Sequence, residues 1–398
     1  MTTGTYYENI NFKGKDIILC STNPEDQNIV KNTIINGKSK GSVVIFAGTE
    51  TTSCVLSGFT ITHGNAEYNG GGIKGNGTFA LIQNNRITDN TADEYGGGLA
   101  SCNGTIQNNL ITGNISFDSN GGGIASCDGT IQNNTIAGNT AYFNGGGLGG
   151  CRGTIQNNII TGNIASQGGG GGISSCGYTI QNNIIEHNTA TWGGGLYSCW
   201  GNIQNNMIAD NTAYYGGGFF RYAGGDMLNN TILNNRATSL GGGLYQCKIN
   251  IMNCIIWGNS AAVGGDQLYD SSTPTYSCIQ DWSGGGTGNI SSDPKLLVPE
   301  YGDFHLMTDS PCIDAGGLIS ELTSDFEGDT RGYDGTSEPR GDGSDYDIGA
   351  DEYNGTVPIS KGVLIYYLLG RLSEIDGDYN GDKIIDAADL IRLIKNGQ

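Results

Sequence analysis

The chain has 398 residues, of which 69 are glycine and 11 are cysteine, and it carries a formal net charge of −20. This charge argues against a nucleic-acid partner, because few basic side chains are present to neutralise phosphates. No apolar run reaches the length of a membrane-spanning helix, and the glycines follow no collagen period. Acidic residues are concentrated in residues 320–398, which contain 17 Asp or Glu and 7 Lys or Arg. Calcium is the expected counter-ion for this region.

The first 65 residues contain short apolar clusters at 16–20, 42–46 and 54–61, which predict strands of irregular first coils. Residues 23–30 between them are predicted to form a loop. No signal-peptide pattern precedes the first strand, so we expect a mature or trimmed chain.

Residues 70–260 repeat one pattern, which begins with a glycine triplet such as 96–98 and continues to Asn114. Successive triplets lie 23 to 26 residues apart, which is typical of a solenoid. Each period contains three short clusters of Ile or Leu and no helical stripe, which favours three short strands per coil. Equivalent residues of successive coils should then stack about 4.8 Å apart. The third glycine of each triplet is Gly72, Gly98, Gly123, Gly147, Gly172, Gly195, Gly218 or Gly243.

Asparagines recur at two places in each period, and we expect them to form ladders at the corners of the coils. Asn tolerates left-handed backbone, and its amide can hydrogen-bond to the coils on either side. The first ladder consists of the pairs 84/85, 108/109, 133/134, 157/158, 182/183, 205/206 and 229/230. The second consists of Asn90, Asn114, Asn139, Asn163, Asn188, Asn211, Asn235 and Asn259.

Six cysteines are repeat members, and we interpret them as a column of buried free thiols that act as small apolar residues. Leu99 and Cys102 differ in strand parity, so a bend or bulge must lie between them if both point inward. The six are Cys102, Cys127, Cys151, Cys176, Cys199 and Cys247. We assign no pairing to the other five cysteines.

Residues 1–353 have predicted short strands, Asn ladders and a period of one coil. In these features they resemble the right-handed parallel β-helix repeat proteins, the superfamily that includes pectate lyases. The resemblance implies an all-β solenoid of about eleven or twelve coils, regular over 70–260 and closed by a terminal coil at 309–353. It specifies no activity, since the same coils serve lyases, hydrolases, adhesins and binding proteins. The acid-rich loop 325–345 in the terminal coil can be read either as a calcium site or as a solvated loop.

After a linker at 354–360, residues 361–398 differ in character. Residues 362–372 predict a short helix, and the loop that follows has oxygen ligands at the spacing that a hard cation requires. This segment resembles a dockerin repeat, with Lys383 at the usual glycine position and one loop instead of two. The resemblance implies a small helical calcium-binding module of the EF-hand type and a cohesin-like partner. The predicted ligands are Asp378, Asn380, Asp382, Ile384 through its carbonyl, Asp386 and Asp389.

Departures from the repeat consensus mark the candidate catalytic residues. Glu186, His187, Asp210 and Arg236 replace Thr, Ala or Gly of other coils around the second Asn ladder, and stacking should bring them close together along one corner. Carboxylates beside a histidine and an arginine can supply acid–base chemistry or stabilise a uronate. The alternative is an exposed charge ladder, which contributes little.

Aromatic residues recur beside this corner, in the segments that precede the glycine triplets. Flat exposed rings suit the apolar faces of sugars, although some of them can instead fill the core. The candidate substrate-binding residues are Tyr142, Trp192, Tyr214, Tyr215 and Arg221. The residues expected to extend the column are Tyr197, Trp200, Phe219, Phe220, Tyr222 and Tyr245.

These features predict a secreted protein that binds or depolymerises an extracellular polysaccharide, as a lyase or a hydrolase if it is an enzyme, and that joins a larger assembly through its calcium-dependent tail. The alternative is a structural or adhesive extracellular protein without catalysis that self-associates end to end.

Overall fold

The computed structural model describes residues 1–222, 224–299 and 303–355, which form two compact units. The first unit contains residues 1–250 and 256–272, and the second contains 251–255 and the described residues from 273 onward. No helix in these ranges has the length and hydrophobicity needed to cross a bilayer. The linker beyond residue 355 and the predicted module 361–398, with all six of its calcium ligands, lie outside the described residues.

The first unit confirms the predicted parallel β-solenoid, with about ten coils where we predicted eleven or twelve. From Thr60 onward its coils have four strands and not three, because the residues after the second Asn ladder, such as Thr91–Ala92, form a short strand of their own. We number the four sheets in the order in which a regular coil, such as residues 86–107, visits them. The first sheet contains Gly4–Tyr6, Thr33–Asn36, Thr60–Thr62, Arg86–Thr88, Leu110–Thr112, Thr135–Ala137, Ile159–Thr161, Ile184–Glu186, Met207–Ala209 and Thr231–Leu233. The second sheet contains Asn65–Ala66, Thr91–Ala92, Ile115–Ser116, Thr140–Ala141, Ile164–Gly169, Thr189–Trp192, Thr212–Tyr215, Arg236–Leu240 and Ser260–Ala261.

The two remaining sheets complete each coil. The third sheet contains Ile10–Asn11, Val44–Ile45, Ile73–Thr78, Leu99–Cys102, Ile124–Ala125, Leu148–Gly149, Ile173–Ser174, Leu196–Tyr197, Phe219–Tyr222, Leu244–Cys247 and Leu268–Tyr269. The fourth sheet contains Ile18–Cys20, Val55–Ser57, Leu81–Gln83, Ile106–Gln107, Ile131–Gln132, Ile155–Gln156, Thr179–Gln181, Asn202–Gln204 and Asp226–Leu228. Strands Asn250–Met252 and Ile255–Trp257 are divided between the two units.

The core of the solenoid is a stack of identical side chains. Ile87, Ile111 and Ile136 lie in register on neighbouring strands of the first sheet, and each is fully buried. Because strands this short have little stability alone, burial of these aligned side chains against the coils on either side holds the fold together.

The two Asn ladders are confirmed, and within each pair the two residues have different roles. The first residue adopts left-handed backbone, as at Asn157 with φ of 56°. The second is buried: the side-chain amide of Asn158 donates to the carbonyl of Ile131 at 2.9 Å and to Oδ1 of Asn183 at 3.0 Å. The chain turns at the first residue of each pair. The side chain of the second residue forms hydrogen bonds with buried polar groups that the turn would otherwise leave unpaired.

The cysteine column is also confirmed, since all six side chains are buried and none forms a disulfide. The expected bend lies at Ser101, where φ is +56° and the register with the preceding coil shifts between Ala100 and Cys102. The backbone N–H of Cys102 then points at Sγ of Cys127, 3.2 Å away.

The glycine triplets permit close approach of successive coils. A Cβ atom built on Gly97 would lie 2.4 Å from the carbonyl oxygen of Ile115, a distance that no side chain tolerates.

At the N-terminal end, the predicted loop 23–30 is partly wrong, because Asp26 caps a short helix, Gln27–Asn32, by accepting a hydrogen bond from the backbone N–H of Asn28.

The second unit is less regular. It contains strand Cys278–Ile279 and an antiparallel pair, Leu296–Val298 with Asp303–Leu306. The rest is loops, whose backbone groups are held largely by buried carboxylates, described below.

Candidate functional site

The strands that form the outer face of the second sheet carry four of the nine predicted catalytic and substrate-binding residues, namely Trp192, Tyr214, Tyr215 and Arg236. These strands are Thr189–Trp192, Thr212–Tyr215 and Arg236–Leu240, which, like Ile164–Gly169 before them, are longer than the two-residue strands of the earlier coils. Thr189, Thr212 and Arg236 are in register at the start of these strands, and Trp192, Tyr215 and Leu240 are in register at their end. At about 3.3 Å per residue, the two rows lie roughly 10 Å apart along the strands.

The charged corner borders this face on one side. His187 and Asp210 occupy left-handed positions with φ of 54°, the conformation that Gly113 and Gly138 adopt in earlier coils. They lie on adjacent coils, since Glu186 is in register with Ala209. Arg236 lies two coils further along than His187, so the four residues share a corner without converging on one point. None of the four forms an ion pair within the described ranges.

Partial burial raises the pKa of the Asp210 carboxyl, and the neighbouring His187 opposes that shift. A carboxyl group with a raised pKa beside a histidine can act as a general acid. Glycine adopts this left-handed conformation at a lower energetic cost, but His63 and Asp89 occupy the equivalent corner of earlier coils with φ of 56° and 55°. The two side chains project from the corner into solvent, where a ligand can reach them.

An aromatic cluster borders the face on its other side. Tyr197, Phe220, Tyr245 and Tyr269 are in register on successive strands of the third sheet. Tyr197 stacks on Phe220 with ring centroids 5.7 Å apart, and Tyr245 packs beside Tyr269 at 5.5 Å. The rings of Trp192 and Tyr215 join from the second sheet, on Tyr197 at 6.2 Å and on Tyr245 at 5.5 Å. We call these six residues the aromatic cluster.

The cluster begins at the coil in which the connection between the second and third sheets becomes shorter. In earlier coils, the place of Tyr197 is taken by the small buried residues Ala125, Gly149 and Ser174. In the coil that contains Trp192, only two residues separate Ala190 from the glycine triplet. Both belong to the strand Thr189–Trp192, so no separate turn precedes the triplet. Gly169 leaves room for the first ring, because a Cβ atom there would lie 2.3 Å from the ring of Tyr197.

The rings pack on one another more than the sequence pattern suggests. Faces that stack on a neighbouring ring are not available to a sugar, so the cluster presents mainly ring edges and tyrosine hydroxyls. None of its hydroxyl groups has a hydrogen-bond partner among the described residues. Tyr214 packs edge-on against Tyr215 at 4.5 Å and is 49% exposed, which makes its ring the most accessible surface beside the cluster.

Other members of the predicted column lie elsewhere. Tyr142 is exposed and packs edge-on against Phe143, as a separate pair without a ring contact to the cluster. Phe219 belongs to the core, where it is fully buried. Arg221 is exposed and directly follows Phe220 at the edge of the cluster.

Tyr269 was absent from the predicted set. The recurrence of an apolar residue followed by an aromatic residue would have revealed it, as in the pairs 196/197, 219/220, 244/245 and 268/269.

A groove of about 410 Å³ lies apart from this face, at the turn between the third and fourth sheets. Tyr178, which is 73% exposed, and Arg152 and Asp128 contribute to its walls. Sequence reasoning missed it. Tyr178 takes the place that Gly104, Gly129 and Gly153 occupy in other coils, a departure from the repeat that could have indicated it.

In the second unit, the acid-rich loop is organised largely by internal hydrogen bonds. Oδ1 of Asp325 accepts the backbone N–H groups of Glu327, Gly328 and Asp329 at 2.8 to 2.9 Å. The fully buried Arg331 pairs with Glu352 at 3.1 Å. These two carboxylates therefore hold the fold, whereas Asp314, Asp334 and Asp345 form a separate group.

His305 lies among carboxylates of the same unit. Its ring nitrogens are 2.6 Å from Oδ1 of Asp303 and 2.7 Å from Oε2 of Glu327. Although burial disfavours the charged ring, hydrogen bonds to these two carboxylates raise the pKa of His305 to about 11. Because both ring nitrogens contact carboxylates, His305 forms the centre of an internal charge network.

No protein-family model and no curated protein matches this chain. The functional argument therefore rests on the residues described above.

Proposed function

We propose that this chain is a secreted parallel β-helix protein that binds an extracellular polysaccharide on the outer face of its second sheet. The observation that carries the proposal is the aromatic cluster beside Tyr214, which lies on one of three long strands that also carry Arg236 and exposed threonines. Aromatic rings contact the apolar faces of sugars, and hydroxyl and guanidinium groups bind their hydroxyl or carboxylate groups. The repeat of the coils matches an extended ligand better than a compact one.

The ligand would lie along the row formed by Thr191, Tyr214 and Thr238, with the cluster on one side and Arg236 on the other. Net negative charge favours a neutral glycan, or a uronate-containing one in which Arg236 or Arg221 contacts the carboxylate. In this proposal the calcium loop at 378–389 attaches the protein to a larger assembly.

Binding to a panel of neutral and acidic polysaccharides, measured by affinity electrophoresis, tests the proposal. Tyr214→Ala should weaken binding by roughly tenfold, as expected for a central aromatic contact. Tyr142→Ala is the matched control, because Tyr142 is 45% exposed but lies outside the cluster. Equal affinities of the two variants would contradict the proposed surface. Failure of the wild type to bind any glycan, with growth of the particle at higher concentration, would favour the structural or adhesive alternative.

Cleavage of the bound glycan is a second candidate function, favoured by the raised pKa of Asp210 beside His187. Product formation by the wild type, with its loss in His187→Ala and Asp210→Ala at unchanged glycan affinity, would establish it. If binding occurs without product, the protein is a binding protein and the corner is a charge ladder.

A further inference from the structure

Three aspartates of the second unit converge although they are distant in sequence. One carboxylate oxygen from each of Asp314, Asp334 and Asp345 lies within 4.8 Å of the other two. Calcium binds oxygens at 2.3–2.6 Å, so two ligands on opposite sides of one ion are about 4.6–5.2 Å apart. The three oxygens therefore lie within the span of a single calcium ion.

Asp314 gives independent evidence that a ligand belongs here. The residue is 1% exposed, and its Oδ2 is buried without a hydrogen-bond partner. Its Oδ1 accepts the N–H of Gly335, the residue after Asp334, at 3.1 Å. A buried carboxylate oxygen that lacks a partner is costly, and two further carboxylates nearby increase that cost by repulsion.

No basic side chain forms an ion pair with these three carboxylates in the part of the unit that the structure describes. Arg340 is near in sequence, but it donates to the carbonyls of Ser310 and Ile313 at 3.3 Å. Asp314, Asp334 and Asp345 form no ion pair with a described residue. A divalent cation would supply the missing partner.

Hydrogen bonds hold together the segments that carry Asp314 and Asp345. The N–H of Asp314 donates to Oδ1 of Asp347 at 2.7 Å, and the N–H of Gly316 donates to the carbonyl of Tyr346 at 2.7 Å. These bonds fix the segment of Asp314 against the segment of Asp345. A site that is already formed binds its ion with less loss of conformational entropy.

We propose that Asp314, Asp334 and Asp345 bind a calcium ion that stabilises the second unit, separately from the predicted loop at 378–389. The donor set is entirely oxygen, which suits a hard cation and gives no ligand preferred by zinc or copper. Backbone carbonyls and water complete the six to eight ligands that calcium takes. The proposal does not depend on glycan binding.

The test uses the full chain in which Asp378→Asn and Asp389→Asn disable the predicted C-terminal loop. Equilibrium dialysis against calcium should then show one remaining ion per chain. Adding Asp334→Asn should weaken that binding by roughly tenfold or more, since a charged ligand is lost. Glu338→Gln is the matched control, because it removes the same charge from the same exposed loop without touching the group.

Terbium luminescence gives a second readout, since Tyr333 and Tyr346 directly adjoin two of the three aspartates and can sensitise a bound lanthanide. The signal should persist in the loop-disabled chain and decrease with Asp334→Asn. Asp314→Asn is informative only if circular dichroism shows native structure, because Oδ1 of Asp314 also holds Gly335. The proposal is overturned if the loop-disabled chain binds no calcium, or if Asp334→Asn and Glu338→Gln bind it equally.

Discussion

Asn157 and Asn158 form one pair of the first ladder. We predict that substitution by alanine lowers the free energy of unfolding much more at Asn158 than at Asn157. Asn158 is 1% exposed. Its side-chain nitrogen donates to the carbonyls of Ile131 and Gln156, both at 2.9 Å, and to Oδ1 of Asn183 at 3.0 Å. Its Oδ1 accepts the backbone N–H of Asn134 at 2.9 Å and the side-chain amide of Asn134 at 3.0 Å.

Asn158→Ala removes all of these bonds and leaves the two N–H groups of Asn134 buried without an acceptor. Each such group costs about 1–3 kcal/mol, so we expect a loss of about 4 kcal/mol of unfolding free energy. Asn157 has an exposed side chain and left-handed backbone. Asn157→Ala should cost only about 1–2 kcal/mol, the penalty of left-handed backbone for a residue with a Cβ, and Asn157→Gly should be close to neutral.

Urea unfolding followed by circular dichroism would measure the three variants, compared by their midpoints at equal slope. Because solenoid coils can unfold separately, hydrogen exchange of the neighbouring coils should accompany the measurement. A cost for Asn157→Ala that equals or exceeds that of Asn158→Ala would refute the division of roles within the pair.

Three further results are expected from the described residues. Arg331→Ala should destabilise the second unit by about 3–5 kcal/mol, because it leaves the buried Glu352 carboxylate uncompensated; a loss below 1 kcal/mol in calorimetry would contradict this. His305 has a folded pKa of about 11 against 6.5 when unfolded, so its contribution to stability is complete below pH 6.5 and is lost as the pH rises towards 11. His305→Gln should therefore flatten the dependence of the second unit's Tm on pH over this range, and an unchanged slope would refute the assignment. The column thiols should resist iodoacetamide in the native protein and react after unfolding, because burial shields them from the reagent. Burial also raises the pKa of the Cys199 thiol to about 12, and rapid native labelling of Cys199 would contradict its burial.

Repetition explains why so much of the first unit could be predicted. A residue and its counterpart two dozen positions later must be vertical neighbours, so the Asn ladders, the thiol column and the bend beside Cys102 follow from alignment of the repeats alone. The same reasoning placed His187 and Asp210 on adjacent coils. It failed where the answer depended on side-chain direction, as for Phe219, which faces the core although its neighbour Phe220 faces out.

The amino-acid sequence determined the period of the coils, the residues at their corners and the positions at which the consensus is broken. Only the tertiary structure showed that the regular coils have a fourth strand, that the rings of the aromatic cluster pack mostly against one another, and that Asp314, Asp334 and Asp345 meet. The physical reason is the range of the contacts. Stacking between successive coils places equivalent residues in the same contact in every coil, so the repeat in the sequence reveals it. The packing of rings and the convergence of irregular loops depend on contacts that occur once and have no period.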